Sequence, residues 1–382
     1  MTRKFIMVIS DAHLAPILED DRMPYRGRAF APDEELSHTI DRAVQIARQA
    51  GGALEIVLGG DVFDLDVPAT SEEVHLCAHT IDPRTSSGGA AVLGRTLADH
   101  PAFTLALRRA IAAGARVVVL PGNHDAQLAL SSPREVLRRA LDTPPGARAL
   151  VFKSWCHITD DGLVLVEHGH QYDPLCRVHR LVLGREAAEE TVGTVSSFYA
   201  PLLFPHLDPF AVDPFAERRG VVASLKDALR VGGARGLLFC ARDLLAATVD
   251  RPATTSAAEL AAEIDADPQI VGLRQQLFAS KATGEELLHA ALGSVDYMQS
   301  VEAAMLRAMV TATDAHGAKV AVVGHTHAPG QMRLPNGATL LNSGSWTPRR
   351  DRQQPVGSFA WIVTNGPHVV DAVVQPVLRG QP

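Results

Sequence analysis

The sequence predicts an α/β protein built in layers. Through the first half of the chain, short β-branched runs alternate with longer stretches of helical spacing. Five such runs are each followed at once by a cluster of Asp, Asn or His. The composition agrees: 46% apolar and 21% charged residues over 382 positions is a globular balance, which argues against disorder, collagen-like repeats and coiled coil.

Phe5–Ile9 is the first run. Pro32 and Asp33 then open a helix with Leu36, Ile40, Val44 and Ala47 on one face, and Gly51-Gly52 closes it. Leu54–Leu58 is the second run, Leu97–Ala113 reads as one helix, Arg116–Leu120 as the third run and Pro133–Leu141 as another helix. Leu163–Val166 and Lys319–Val323 are the fourth and fifth runs. Beyond them Gln331–Leu334, an Asn336-Gly337 turn, Ala338–Leu341, Ser358–Val363 and His368–Val374 have the look of antiparallel strands.

Residues 176–310 differ in character. Val221–Arg230, Gly236–Val249, Ala257–Ile264, Pro268–Ser280 and Gly284–Leu292 show helical spacing between Gly, Pro and Thr breakers. This stretch reads as a helical insertion or cap, with residues 1–175 and 311–382 forming the core. Within it, Ser196–Phe215 packs four of the twelve phenylalanines among four prolines. It reads as the insertion's own core; the sharper reading is an apolar lid for an acyl chain or a peripheral membrane contact.

Several classes are excluded. No apolar run reaches the about 18 to 20 residues of a membrane span. The opening MTRKFIMVISDAH is too short in its apolar part for a signal peptide. Cys77, Cys156, Cys176 and Cys240 lie far apart, so neither a thiolate zinc site nor a disulfide framework is indicated, and a reducing cytoplasm is expected. A net charge of −7 without a basic run lacks the electrostatic footprint of a nucleic-acid binder.

The chemistry lies in the residues directly after the five runs: Asp11-Ala-His13, Gly60-Asp61-Val-Phe-Asp64, Gly122-Asn123-His124-Asp125, His168-Gly169-His170 and Gly324-His325-Thr-His327. Carboxyl ends of strands in open α/β sheets converge on one crevice, so residues more than 300 positions apart are expected to meet. Asp, Asn and His without thiolate suit hard or borderline divalent ions. Asp11, His13, Asp61, Asn123, His168, His325 and His327 offer more donors than one hydrated ion uses, so two ions are expected. Two dications at the usual spacing of about 3.5 to 4 Å repel by roughly 17 to 19 kcal/mol at an effective dielectric of about 20. An anion must therefore lie between them, and Asp61 is read as the bridging carboxylate, with a hydroxide as second bridge.

In order and spacing, DxH, GDxxD, GNHD, GH and GHxH resemble the calcineurin-like metallophosphoesterase superfamily. The resemblance covers residues 11–175 and 319–345. It implies a four-layer α/β/β/α sandwich, with Asp11, His13, Asp61 and His327 holding one metal and Asp61, Asn123, His168 and His325 the other. It also implies that His124 is not a ligand but faces the substrate as proton donor or charge stabiliser, oriented by Asp64. The expected reaction is in-line attack on a small-molecule phosphate ester or pyrophosphate by the metal-bridging hydroxide, with Mn²⁺ as first assay metal and Fe or Zn²⁺ as alternatives. EHGHQYDP at 167–174 and LNSGSWTP at 341–348 look like the branch containing UDP-diacylglucosamine hydrolase. That hydrolase carries Arg where this chain has His124, and its insertion is much shorter.

His170 is expected beside the ligands rather than among them, and Asp125 to bond its own loop. Arg177, Arg180, Arg349 and Arg350 are candidates for substrate phosphate or for surface ion pairs.

Overall fold

The computed structural model of the protein describes residues 3–21, 23–76, 79–153, 155–173, 176, 295–347 and 355–379. The expected cap helices between Val221 and Leu292, the segment Ser196–Phe215, and Arg177, Arg180, Arg349 and Arg350 lie outside the described residues.

Period-two side-chain alternation builds the layers. In β1 (Arg3–Ile9), Phe5, Met7 and Ile9 face one way and Ile6 and Val8 the other, and all five are buried. A strand apolar on both faces must be covered on both. The same alternation runs through β2 (Ala53–Gly59) and β3 (Arg116–Leu120). With β4 (Leu150–Phe152) these strands pair in parallel. The hairpin of β10 (Gly357–Asn365) and β11 (His368–Val377) adds antiparallel to β1, giving the order β11-β10-β1-β2-β3-β4.

A second sheet contains β5 (Cys156–Ile158), β6 (Val164–Glu167), β7 (Val320–Val323), β8 (Gly330–Arg333) and β9 (Thr339–Asn342), in the order β5-β6-β7-β9-β8. β6, β7 and β9 are parallel; β5 and β8 flank them antiparallel.

Three apolar clusters separate four layers. Ile6, Val8, Val57, Val118 and Leu120 of the first sheet meet Val164, Val166, Val320, Val322 and Leu341 of the second. Outside the first sheet lie α1 (Asp33–Gln49), α3 (Ser86–Asp99), α4 (Pro101–Ala112) and α5 (Ser131–Ala140), contributing Leu36, Ile40, Leu93, Phe103, Leu107 and Leu137. A short α2 (Ser71–Leu76) precedes α3. Outside the second sheet α6 (Val295–His316) packs Met305, Ala308, Met309 and Ala312 on Leu165, Ala321 and Val323. The layering is α/β/β/α. Among the described residues no helix is long and apolar enough to cross a membrane.

Several expectations change. The single helix over 97–113 is two: Pro101 has no N–H and holds His100 out of the helical region (φ −119°, ψ 60°), so α3 stops and α4 starts there. Strands β4 and β5, three residues each, were not anticipated. The five runs do not share one sheet, since the first three lie in one and the last two in the other. The boundary drawn at residue 310 falls inside α6, which packs on the core from Val301 onward.

Candidate metal centre

The two sheets present their strand ends to one seam. The segments after β1 and β2 continue side by side, with the N–H of Asp11, His13 and Leu14 donating to the carbonyls of Gly60, Asp61 and Val62 at 3.0 Å each. Asp125 fastens the third segment to them. Its Oδ1 accepts from the N–H of Gly122 (2.6 Å) and Asp61 (3.1 Å), and its Oδ2 from Val62 (3.0 Å) and Phe63 (3.3 Å). This carboxylate thus binds its own loop, as the sequence suggested, and the Asp61 loop as well. Across the seam, the His325 N–H donates to both oxygens of Asp11 at 3.1 Å, and Gly324 N–H to His168 O at 2.9 Å.

Backbone strain concentrates here. Among the described residues six non-glycine positions have positive φ, and five are expected ligands: Asp11 (51°), His13 (48°), Asp61 (50°), His325 (68°) and His327 (55°). Such conformations cost about 1–3 kcal/mol each and persist where the surrounding structure over-determines them, as at functional sites.

The fold brings the expected ligands into two groups, Asp11–His13–His327 and Asp61–His168–His325, with donor atoms within 4.8 Å of one another in each. His13 Nδ1 is 2.7 Å from Asp64 Oδ1 and His168 Nδ1 is 3.1 Å from the Gly59 carbonyl. Both partners are obligate acceptors, so each Nδ1 carries the proton and each Nε2 of the neutral ring is a lone pair. Those lone pairs face other acceptors: His13 Nε2 lies 3.1 Å from His327 Nε2, and His168 Nε2 lies 3.1 Å from Asp61 Oδ2. Acceptors repel at such distances unless a cation joins them. Donor–ion distances of about 2.0–2.2 Å give donor–donor edges of about 3 to 3.5 Å, so these spacings fit shared ions. His327 Nε2 is also 3.2 Å from Asp11 Oδ1, and Asn123 Oδ1 is buried without a hydrogen bond. The donor set therefore fits divalent metal.

Charge says the same. Burial opposes ionisation of Asp61, yet His168 and His124 outweigh it and hold the carboxyl well below the usual range. Burial likewise lowers the His168 imidazole, but Asp61 and Asp11 push it up to about 9. The carboxylates that raise the His168 imidazole are the same ones that would draw a divalent ion to this place.

His124 lies at the rim. Its side chain is 27% exposed, its ring is 5.1 Å from that of His13, and its backbone N–H donates to Asp61 Oδ1 at 2.7 Å. One expectation is corrected. Asp64 does not hydrogen-bond His124, since its Oδ1 is 3.6 Å from Nδ1 and is engaged by His13. The carboxylate bonded to His124 is Asp66, Oδ1 to Nδ1 at 3.1 Å. The alternating GDVFDLD string carries that signal, but Asp66 falls outside the GDxxD spacing. Burial would lower the His124 imidazole; Asp66, Asp61 and Asp64 together hold it well above its usual value. Asp173, also not anticipated, is buried and lies 3.2 Å from His325 Nε2. His170 is buried, its ring 5.2 Å from that of His168.

A family profile described as calcineurin-like phosphoesterase matches residues 6–221, more than half of the chain. The chain belongs to the calcineurin-like phosphoesterase family. It is therefore a metal-dependent phosphoesterase, a hydrolase. The matched range holds the first four blocks, and the fold adds His325 and His327 to them. No curated protein matches the chain.

Close packing makes one of the site's glycines irreplaceable. Gly60 has φ +93°, and a Cβ there would stand 2.6 Å from the His168 ring. Gly60→Ala is expected to displace that ring and weaken metal binding by about 10- to 100-fold, the range for losing a ligand's support. Competition with a chromogenic chelator measures this.

Proposed function

We propose that this phosphoesterase holds two divalent ions and hydrolyses a small-molecule phosphate ester, with His124 as the proton donor. The observation that carries the reading is the pair of facing acceptor sets, His13–His327–Asp11 and His168–Asp61, each of which draws its members from both sides of the seam. Asp61 is the bridging carboxylate of this reading, and Asp11, His13, Asn123, His168, His325 and His327 are the remaining ligands. Ions bound there supply Lewis acidity to a phosphoryl oxygen and lower the pKa of a coordinated water. The chain's own part is positional. Asp64 and the Gly59 carbonyl fix the tautomers of His13 and His168, and Asp125 sets the Asp61 loop.

His124 bears on the substrate class. An alcohol leaving as alkoxide needs a proton, whereas a phosphate leaving from a pyrophosphate needs it far less. A partly exposed imidazole at the rim therefore favours phosphomonoesters or phosphodiesters over the pyrophosphates of the branch that EHGHQYDP resembles. Mn²⁺ is the metal for the first assay, and Fe or Zn²⁺ suit the same O/N donors. The acidic balance favours a small substrate over nucleic acid, a cytoplasmic setting suits the sparse cysteines, and Ser196–Phe215 is the segment for any lipid contact.

The test is a screen of phosphomonoesters, phosphodiesters and nucleotide-sugar pyrophosphates with Mn²⁺. Ester hydrolysis abolished by EDTA and restored by metal supports the reading; pyrophosphate cleavage alone shifts the substrate class, and no hydrolysis by metal-loaded protein defeats it. His124→Ala should lower kcat on an alkyl or aryl ester by about 10²- to 10⁴-fold at unchanged metal content. Loss of metal in that variant would mark His124 as a ligand.

A further inference from the structure

We propose that Asp66, which lies outside the family's GDxxD spacing, is the positioning residue that fixes the tautomer of His124, while Asp64 serves His13. The inference rests on His124 being the proton donor. The two carboxylates are two positions apart in one loop yet point to different imidazoles. Asp64 Oδ1 is 2.7 Å from His13 Nδ1 and 3.6 Å from His124 Nδ1; Asp66 Oδ1 is 3.1 Å from His124 Nδ1. Asp64 is thus already engaged by a ring that the donor set requires, and of the two only Asp66 is within hydrogen-bond reach of His124.

The burial of Asp66 gives the second argument. The residue is 2% exposed, and its Oδ2 is buried without a hydrogen bond. A carboxylate held so is costly unless its charge is matched by a specific partner. A structural carboxylate in the same site looks different, as Asp125 does with four backbone N–H donors. Among the described residues, the side chain that hydrogen-bonds Asp66 is the His124 ring.

The chemistry depends on which nitrogen is held. With Nδ1–H donated to Asp66, Nε2 is directed away from the carboxylate and carries the transferable proton. As the phosphorus–oxygen bond to the leaving group breaks, its electron pair stays on that oxygen, which takes the proton from Nε2. Water's oxygen forms the new bond to phosphorus, and the proton that water gives up restores the ring. His124 passes through the neutral Nδ1–H form, the tautomer Asp66 favours. Without Asp66 the ring is free to hold its proton on Nε2 and turn, as in other carboxylate–imidazole pairs.

The experiment compares Asp66→Asn, Asp64→Asn and His124→Ala in Mn²⁺-loaded protein, using phenyl phosphate and 4-nitrophenyl phosphate, with metal content measured by elemental analysis. Zn²⁺-loaded protein labelled with ¹⁵N-histidine reports the His124 tautomer by long-range ¹H–¹⁵N correlation, its signal assigned by loss in His124→Ala. Asp66→Asn should keep its metal, slow phenyl phosphate by about 10²- to 10³-fold and 4-nitrophenyl phosphate by less than about tenfold, and lose the Nδ1–H signal. In the His124→Ala background it should have little further effect, a non-additivity that a merely structural role would not give. Asp64→Asn should instead lose metal and keep the signal. An unchanged leaving-group preference, an additive loss in the double variant, or a His124 signal lacking Nδ1–H in the wild type overturns the assignment. Asp66→Ser replaces the asparagine variant if that one fails to fold. Should the wild type hydrolyse neither ester, the proposed function fails, and the tautomer signal still decides the role of Asp66.

Discussion

Asp61→Asn is expected to abolish turnover, to less than one part in about 10⁴ of wild type, with metal content falling below half. Asp61 serves two sides of the seam at once. Its Oδ1 accepts the His124 N–H, and its Oδ2 faces His168 Nε2. Asparagine keeps the first contact, so the loop should hold its course. It replaces the second oxygen or its charge, and on the proposed two-ion reading only an anion can sit between dications that would repel by more than about 15 kcal/mol. Losing the Lewis acidity of even one ion removes several kcal/mol of transition-state stabilisation, and about 5.4 kcal/mol corresponds to 10⁴. Elemental analysis and a turnover assay on folded protein check both halves. Retained activity with both metals in place would refute the bridging role.

Asp125→Ala should produce the largest loss of stability, about 4 kcal/mol by urea denaturation. The side chain is fully buried (0% exposed) and accepts four backbone N–H bonds from two loops. Alanine leaves these donors buried and unpaired, at about 1–3 kcal/mol for each that water or relaxation does not rescue. Asp125→Asn should cost about half as much, because one oxygen still accepts while the amide meets N–H groups it cannot bond. A midpoint shift without change in the denaturant slope distinguishes lost stability from an altered unfolded state. Near-wild-type stability in Asp125→Ala would mean the loops are held by their own backbone ladder.

Much of this was legible in the sequence, because the informative signals are local. β1, β2 and β3 announce themselves by β-branched runs, and α1 by Leu36, Ile40 and Ala47, all of which the fold buries. The seven candidate donors are legible because each comes after a strand end at short range. Other features depend on neighbours distant in sequence. Three-residue strands such as β4 carry too little periodicity to stand out. The division of five runs between two sheets leaves no mark on any one of them, since each is apolar on both faces in either arrangement. Pro101 is a break written in the sequence but masked there by the continuous apolar spacing on either side of it, and the fold obeys the proline. Asp64 and Asp66 are both near His124 in this loop, and only side-chain geometry says which is bonded.

The proposed ligands are divided between the sheets, with Asp11, His13, Asp61 and Asn123 carried by one and His168, His325 and His327 by the other. The thickness of the valine filling between them, Val8, Val57 and Val118 against Val164, Val166 and Val322, is therefore a spacer that sets the gauge of the catalytic cleft. Adding a methylene in that filling, remote from every ligand, would pry the two halves apart at the mouth, so selection on turnover reaches down to the volume of side chains that never meet the substrate.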